Sequence, residues 1–162
     1  MVVSGILLRG FGGAQVARAL AAEARSVGQR GLGDAVRILK YIEKCTGTNH
    51  NGPAWIAYVE ISRSGRTVYF NGCALQAYTR GGGVGSHCDL ETRESYWVSG
   101  VKKSGSNRQW AGSGHILVEQ SAVAELLSLP GQTTLDKSLY RVVPDLPITD
   151  PQQFVERFNE EL

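Results

Sequence analysis

Trp55-Ile56-Ala57-Tyr58-Val59-Glu60-Ile61, then Ser62-Arg63-Ser64-Gly65-Arg66, then Thr67-Val68-Tyr69-Phe70-Asn71-Gly72-Cys73-Ala74-Leu75-Gln76-Ala77-Tyr78, is the stretch on which the fold turns. Trp55, Ala57, Val59 and Ile61 alternate with Ile56, Tyr58 and Glu60, which is the period of a strand. Ser62 to Gly65 supplies a turn, and Thr67 to Phe70 a return strand. Asn71-Gly72 follows at once. Both residues tolerate positive φ, so the pair fits a tight hairpin. Cys73 to Tyr78 is then a third strand, and the three make a meander.

Working outward toward the C-terminus, glycines 81–83 and 85 form a loop. Tyr96 to Val101 reads as a fourth strand, Lys102 to Asn107 as a polar turn, Arg108 to Ala111 as a short fifth strand and His115 to Glu119 as a sixth. Ser121 caps a helix over 121–129 that Pro130-Gly131 stops. Asp150 at the cap, Pro151 at the first helical position and Gln153 at the third open a last helix over 151–161. Toward the N-terminus, Ile38, Leu39, Ile42 and Cys45 give a helix over 35–45 one apolar face, with Asp34 at its cap. Residues 1–35 form an extension with a helix at Ala14 to Ser26. The expected fold is α+β: one β-rich domain over 36–162, its sheet at about 54–119. Five or six short antiparallel strands form a curved sheet or half-open small barrel, flanked by N- and C-terminal helices.

The apolar fraction of 42% is enough for a packed core, and 162 residues suit one domain. The formal charge is only +2 and unevenly spread. Residues 1–44 carry seven Lys/Arg against three acids, and residues 145–162 five acids against one Arg. The balanced middle argues against a dedicated duplex-DNA binder, which shows a strong basic excess. No apolar run approaches the ~20 residues that span a bilayer. Cys45, Cys73 and Cys88 are odd in number and widely spaced, with no Cys-x-x-Cys pair, so no zinc knuckle or redox pair can be written. Three free thiols suit a reducing, cytoplasmic compartment.

Three groups of residues can carry chemistry. His87, Cys88, Asp89 and Glu91 sit together after the glycine loop, and His50 or His115 can complete a constellation with them. As acid/base groups, His50, His87, His115 and Asp89 would serve a small hydrolase or a nuclease-like enzyme. As ligands they are sequential neighbours, which rarely converge on one ion, so no metal site and no cofactor is expected. Gly10 to Gln15 follows a possible strand, as a dinucleotide-binding turn would, but Gln15 stands where a small residue should let helix and strand pack. The third group is basic and aromatic: Arg63 and Arg66 at the first turn, Tyr69 on the second strand, Lys102, Lys103 and Arg108 around the second polar turn, Trp97 and Trp110 beside it. Basic turns beside exposed aromatics hold single-stranded nucleic acid by stacking and phosphate contacts. Tryptophans in a small β protein also serve as core.

Asn49-His50-Asn51-Gly52-Pro53-Ala54-Trp55-Ile56, Ser64 to Gly72, Glu94-Ser95-Tyr96-Trp97-Val98-Ser99-Gly100-Val101-Lys102-Lys103 and Arg108-Gln109-Trp110-Ala111-Gly112-Ser113-Gly114 resemble a family of short, functionally uncharacterised bacterial proteins. Its members read HNGPAW, SGRT-YFNG, EEYWVSGVKK and RHWAGSG. The resemblance covers roughly 36–129 and leaves 1–35 outside. Gln109 stands where the family has His, and Ser95 where it has Glu, so chemistry resting on that histidine does not transfer. Some members carry the label 1-deoxy-D-xylulose-5-phosphate synthase. Such an enzyme binds thiamine diphosphate through Gly-Asp-Gly and needs several large domains, and this chain has neither. The expectation is a non-enzymatic module that binds nucleic acid or a protein partner with its curved sheet, a small enzyme being the competing reading.

Overall fold

A computed structural model describes residues 37–46, 52–79, 84–103, 107–108 and 113–154. The elements run β1 (Ile38–Cys45), β2 (Ala54–Ile61), β3 (Thr67–Phe70), β4 (Cys73–Ala77), β5 (His87–Asp89), β6 (Ser95–Ser99), β7 (Ile116–Glu119), a 3-10 turn (Gln120–Ala122), α1 (Val123–Ser128) and β8 (Tyr140–Val143). From β1 to β6 each strand pairs antiparallel with the next. β6 returns to β1, from Tyr41↔Ser99 to Cys45↔Ser95. The meander therefore closes on itself as a six-stranded antiparallel barrel, and closure removes the sheet edges an open meander would leave.

The alternation read in the sequence sorts the side chains. Trp55, Ala57, Val59 and Ile61 point inward, where they pack with Ile42, Val68, Phe70, Leu75, Tyr96 and Val98. Trp55 meets Phe70 edge-on at 5.4 Å between ring centroids. The hairpin at Asn71-Gly72 has φ of +46° and +78°, the positive pair its residue types predict. Two outer layers complete the core. Tyr41, Ala54, Ile56, Ile116, Val118 and Tyr140 pack under Ala122 and Leu126 of the 3-10 turn and α1. On the opposite flank Phe154 covers Tyr69, Ala74 and Leu90.

Residues 38–45 are a strand and not the helix that the spacing suggested. β1 is buried on both sides: Ile42 faces the barrel interior, while Tyr41 and Glu43 lie under the outer layer. Burial of both faces erases the period of two, and Ile38, Leu39, Ile42 and Cys45 then fall by chance at helical spacing. The expected helix 121–129 is a 3-10 turn followed by six residues of α1, with no side-chain cap. Ser121 does not cap it; its amide donates to Asp145 Oδ1 at 2.9 Å. Asp150 does act as predicted, accepting from Gln152 N at 2.9 Å where the chain enters a helical turn. The remainder of that helix, the 1–35 extension and most of the expected strand 108–111 lie outside the described residues. β5 and β8 were not anticipated.

β2 has three neighbours. Along one side it pairs with β1. On the other, its first half pairs in parallel with β7, from Ala54↔Ile116 to Ile56↔Val118, and its end pairs with β3 only at Glu60↔Tyr69 and Ile61↔Val68. Tyr58 falls at the join, where neither ladder serves its amide. The Glu119 carboxylate does so, accepting from Tyr58 N and from Leu146 N, both at 3.0 Å. The segment 144–154 thus straps the seam: Leu146 packs against the interior cluster, Thr149 Oγ1 accepts from Gly72 N at 2.8 Å, and Phe154 docks beyond.

Candidate binding face

Two sectors of the barrel's outside are covered, one by α1 with β7 and β8 and the other by Phe154. Phe154 reaches Ala74 on β4, but the outer side of the sheet at Gln76, Cys88 and β6 belongs to neither layer among the described residues. Its register sets Gln76 beside Cys88 and Cys88 beside Ser95, so all three share one face, and Cys45 of β1 adjoins Ser95 on the other side. Ser95, Trp97 and Ser99 follow one another on the outer side of β6 by alternation. The Tyr78 and Ser95 hydroxyls share a 2.9 Å hydrogen bond. Trp55 belongs to the interior cluster, whereas Trp97 belongs to none of the three apolar clusters and is only partly buried.

Glu43 lies beside Trp97 in the β1–β6 register. It has no solvent exposure, and Arg108 answers its charge at 3.1 Å with a side chain only 10% exposed. Arg108 also donates to Gly52 O at 2.8 Å and to His115 O at 3.3 Å, and the Tyr41 hydroxyl donates to Glu43. This staple ties Gly52, Arg108 and His115 together beside β1. Gly52 is obligatory there, because a Cβ would lie 2.1 Å from Lys44 O.

The expected binding residues divide. Trp97 is partly buried on the outer side of β6, outside the three apolar clusters of the described residues. Lys102 and Lys103 are exposed on the segment that leaves β6, and Lys102 N donates to Asn107 Oδ1 at 2.7 Å. Arg63 and Arg66 are exposed on the β2–β3 turn, on a different part of the barrel. Tyr69 is 2% exposed beneath Phe154, so it offers no stacking surface, and Arg108 is committed to Glu43. Trp110 lies outside the described residues, as does His50.

The expected acid/base group divides as well. Alternation along β5 turns His87 and Asp89 inward and Cys88 outward. Burial, with a smaller contribution from Lys40, holds His87 below its usual pKa, and the Ser86 hydroxyl stands 2.8 Å from its Nδ1. Asp89 accepts from Thr92 Oγ1 at 2.8 Å and from Glu91 N at 3.3 Å. Burial and the neighbouring Asp89 push the Cys73 thiol up to about 11, and burial with Glu43 does the same for Cys45, so neither is a ready thiolate at neutral pH. His115 is exposed on the connection into β7. Among the described residues no three His, Cys, Asp or Glu side chains are arranged to hold a metal ion, and no helix is long and apolar enough to cross a membrane. Tyr78, Ser95 and Gln76 were not anticipated; a strand assignment for residues 87–89 would have aligned them. Comparisons with family models, with curated proteins and with solved structures gave no match.

Proposed function

We propose that the protein is a binding module that holds single-stranded nucleic acid on the outer face of β4, β5 and β6, with Trp97 as the stacking platform. The observation that supports it is the position of Trp97: outside the packed clusters of the described residues, only partly buried, and flanked along β6 by Ser95 and Ser99. A base stacked on an aromatic ring contributes about 1–3 kcal/mol irrespective of sequence. Two lysines just beyond the end of β6 are the cations this reading assigns to the phosphates. Glu43 is neutralised by Arg108 and Glu94 by Lys44 at 2.7 Å, while Lys102 and Lys103 are exposed.

Fluorescence anisotropy of labelled single-stranded oligonucleotides, titrated over a salt series, tests this. Binding should weaken steeply with salt. Trp97→Ala should lower affinity about ten- to hundredfold with the fold intact by circular dichroism. Lys102→Gln with Lys103→Gln should flatten the salt slope by about 0.7 for each phosphate that is no longer neutralised. No binding at low salt overturns the reading and leaves a protein partner for this face.

A further inference from the structure

We infer that the strand bound on this face is RNA and not DNA, an inference that rests on the nucleic-acid reading above. Along β6, Ser95, Trp97 and Ser99 occupy the same side at intervals of about 6.7 Å, two residues of strand rise. A base stacked on Trp97 therefore carries its sugar toward one of two hydroxyl-bearing positions. Ser99 is exposed, and its hydroxyl donates to Gly100 O at 3.1 Å, which leaves the oxygen's lone pairs free to accept. The hydrogen bond shared by Tyr78 and Ser95 uses one of their two protons, so the pair keeps one O–H to donate. Gln76, across Cys88 in the same row, adds an amide with both donors and an acceptor. The ribose 2′-hydroxyl is both donor and acceptor, and it is the group by which a protein tells RNA from DNA. Hydroxyls placed to meet it gain nothing from deoxyribose. The phosphates would meet Lys102 and Lys103, exposed just beyond the Ser99 end of β6.

Anisotropy titrations of the full chain with three oligonucleotides of one mixed sequence, about twelve nucleotides long, decide the matter: single-stranded RNA, single-stranded DNA and fully 2′-O-methylated RNA, all at the same low salt. The RNA should bind about tenfold or more tightly than the DNA, and methylation, which removes the donor, should bring the RNA toward the DNA value. Ser95→Ala with Ser99→Ala should abolish the preference while leaving DNA affinity and melting temperature near those of the parent. Equal affinity for RNA and DNA overturns the inference and leaves the nucleic-acid reading standing. A preference that survives the double substitution also overturns it, because the discrimination then arises elsewhere. Binding to none of the three overturns both.

Discussion

Glu43 and Arg108 hold each other in place across most of the barrel's sequence, and neither tolerates the loss of its partner. With no exposure at Glu43, removing the guanidinium strands a buried carboxylate and releases Gly52 O and His115 O as well. Arg108→Ala should therefore cost about 3–5 kcal/mol, read as a lowered midpoint in guanidinium chloride. Glu43→Leu combined with Arg108→Met should recover most of it, because the two charges then leave together. A single variant as stable as the parent would show that the pair is not a staple. At this scale the sequence was partly legible. Arg108 was readable as a basic residue near a polar turn, but not as a buried cation, since its partner comes from another part of the chain. Trp55 and Trp97 are the same residue type beside the same kinds of neighbour. Only strand parity within a closed barrel sends one inward and the other out.

Among the elements, the join between β2 and β3 is as short as that between β5 and β6, and of the two it is the one under a strap. Two residue pairs hold it directly, and Glu119 with the 144–154 strap holds the rest. Glu119→Ala removes the acceptor for two amides at once, Tyr58 N and Leu146 N. Each polar group left buried without a partner costs about 1–3 kcal/mol. Amide exchange should speed up at Tyr58 and Leu146 while β4 stays protected, and unchanged protection at Leu146 would remove the strap from the account. The meander from Trp55 to Tyr78 was legible because its alternation is clean and its turns carry Asn-Gly and Ser-Gly. β1 was not, because burial on both faces hides the period of two. β5 was not, because three polar residues after a glycine loop give too short a pattern. β8 was not, because it exists only as a partner to β7.

At the scale of the molecule, the expected half-open barrel is closed, and the difference comes down to β1: read as a helix, it leaves β6 with nothing to meet. Closure also encloses titratable groups. His87 faces inward beside Lys40, and burial lowers its pKa from an ordinary value of 6.5. Well above pH 6.5 the imidazole is neutral in both folded and unfolded chains and contributes no pH dependence. As pH falls through that value the unfolded chain takes up the proton first, so stability declines until the folded pKa is passed. Urea midpoints at pH 7.5 and 5.5 should differ for the parent, and His87→Gln should reduce the difference; an identical difference in the variant would assign the effect to other groups. The ring has one more consequence, for the order in which it assembles. The pairings from β2 through β5 join near neighbours in the chain and carry little loop-closure entropy, whereas β1–β6 joins the two ends of the meander. The hairpins can form early, but the β1–β6 seam cannot. Trp97 acquires its setting beside Glu43 only when β6 reaches β1, so binding on that face, as proposed, would report a closed ring and not merely the presence of its strands.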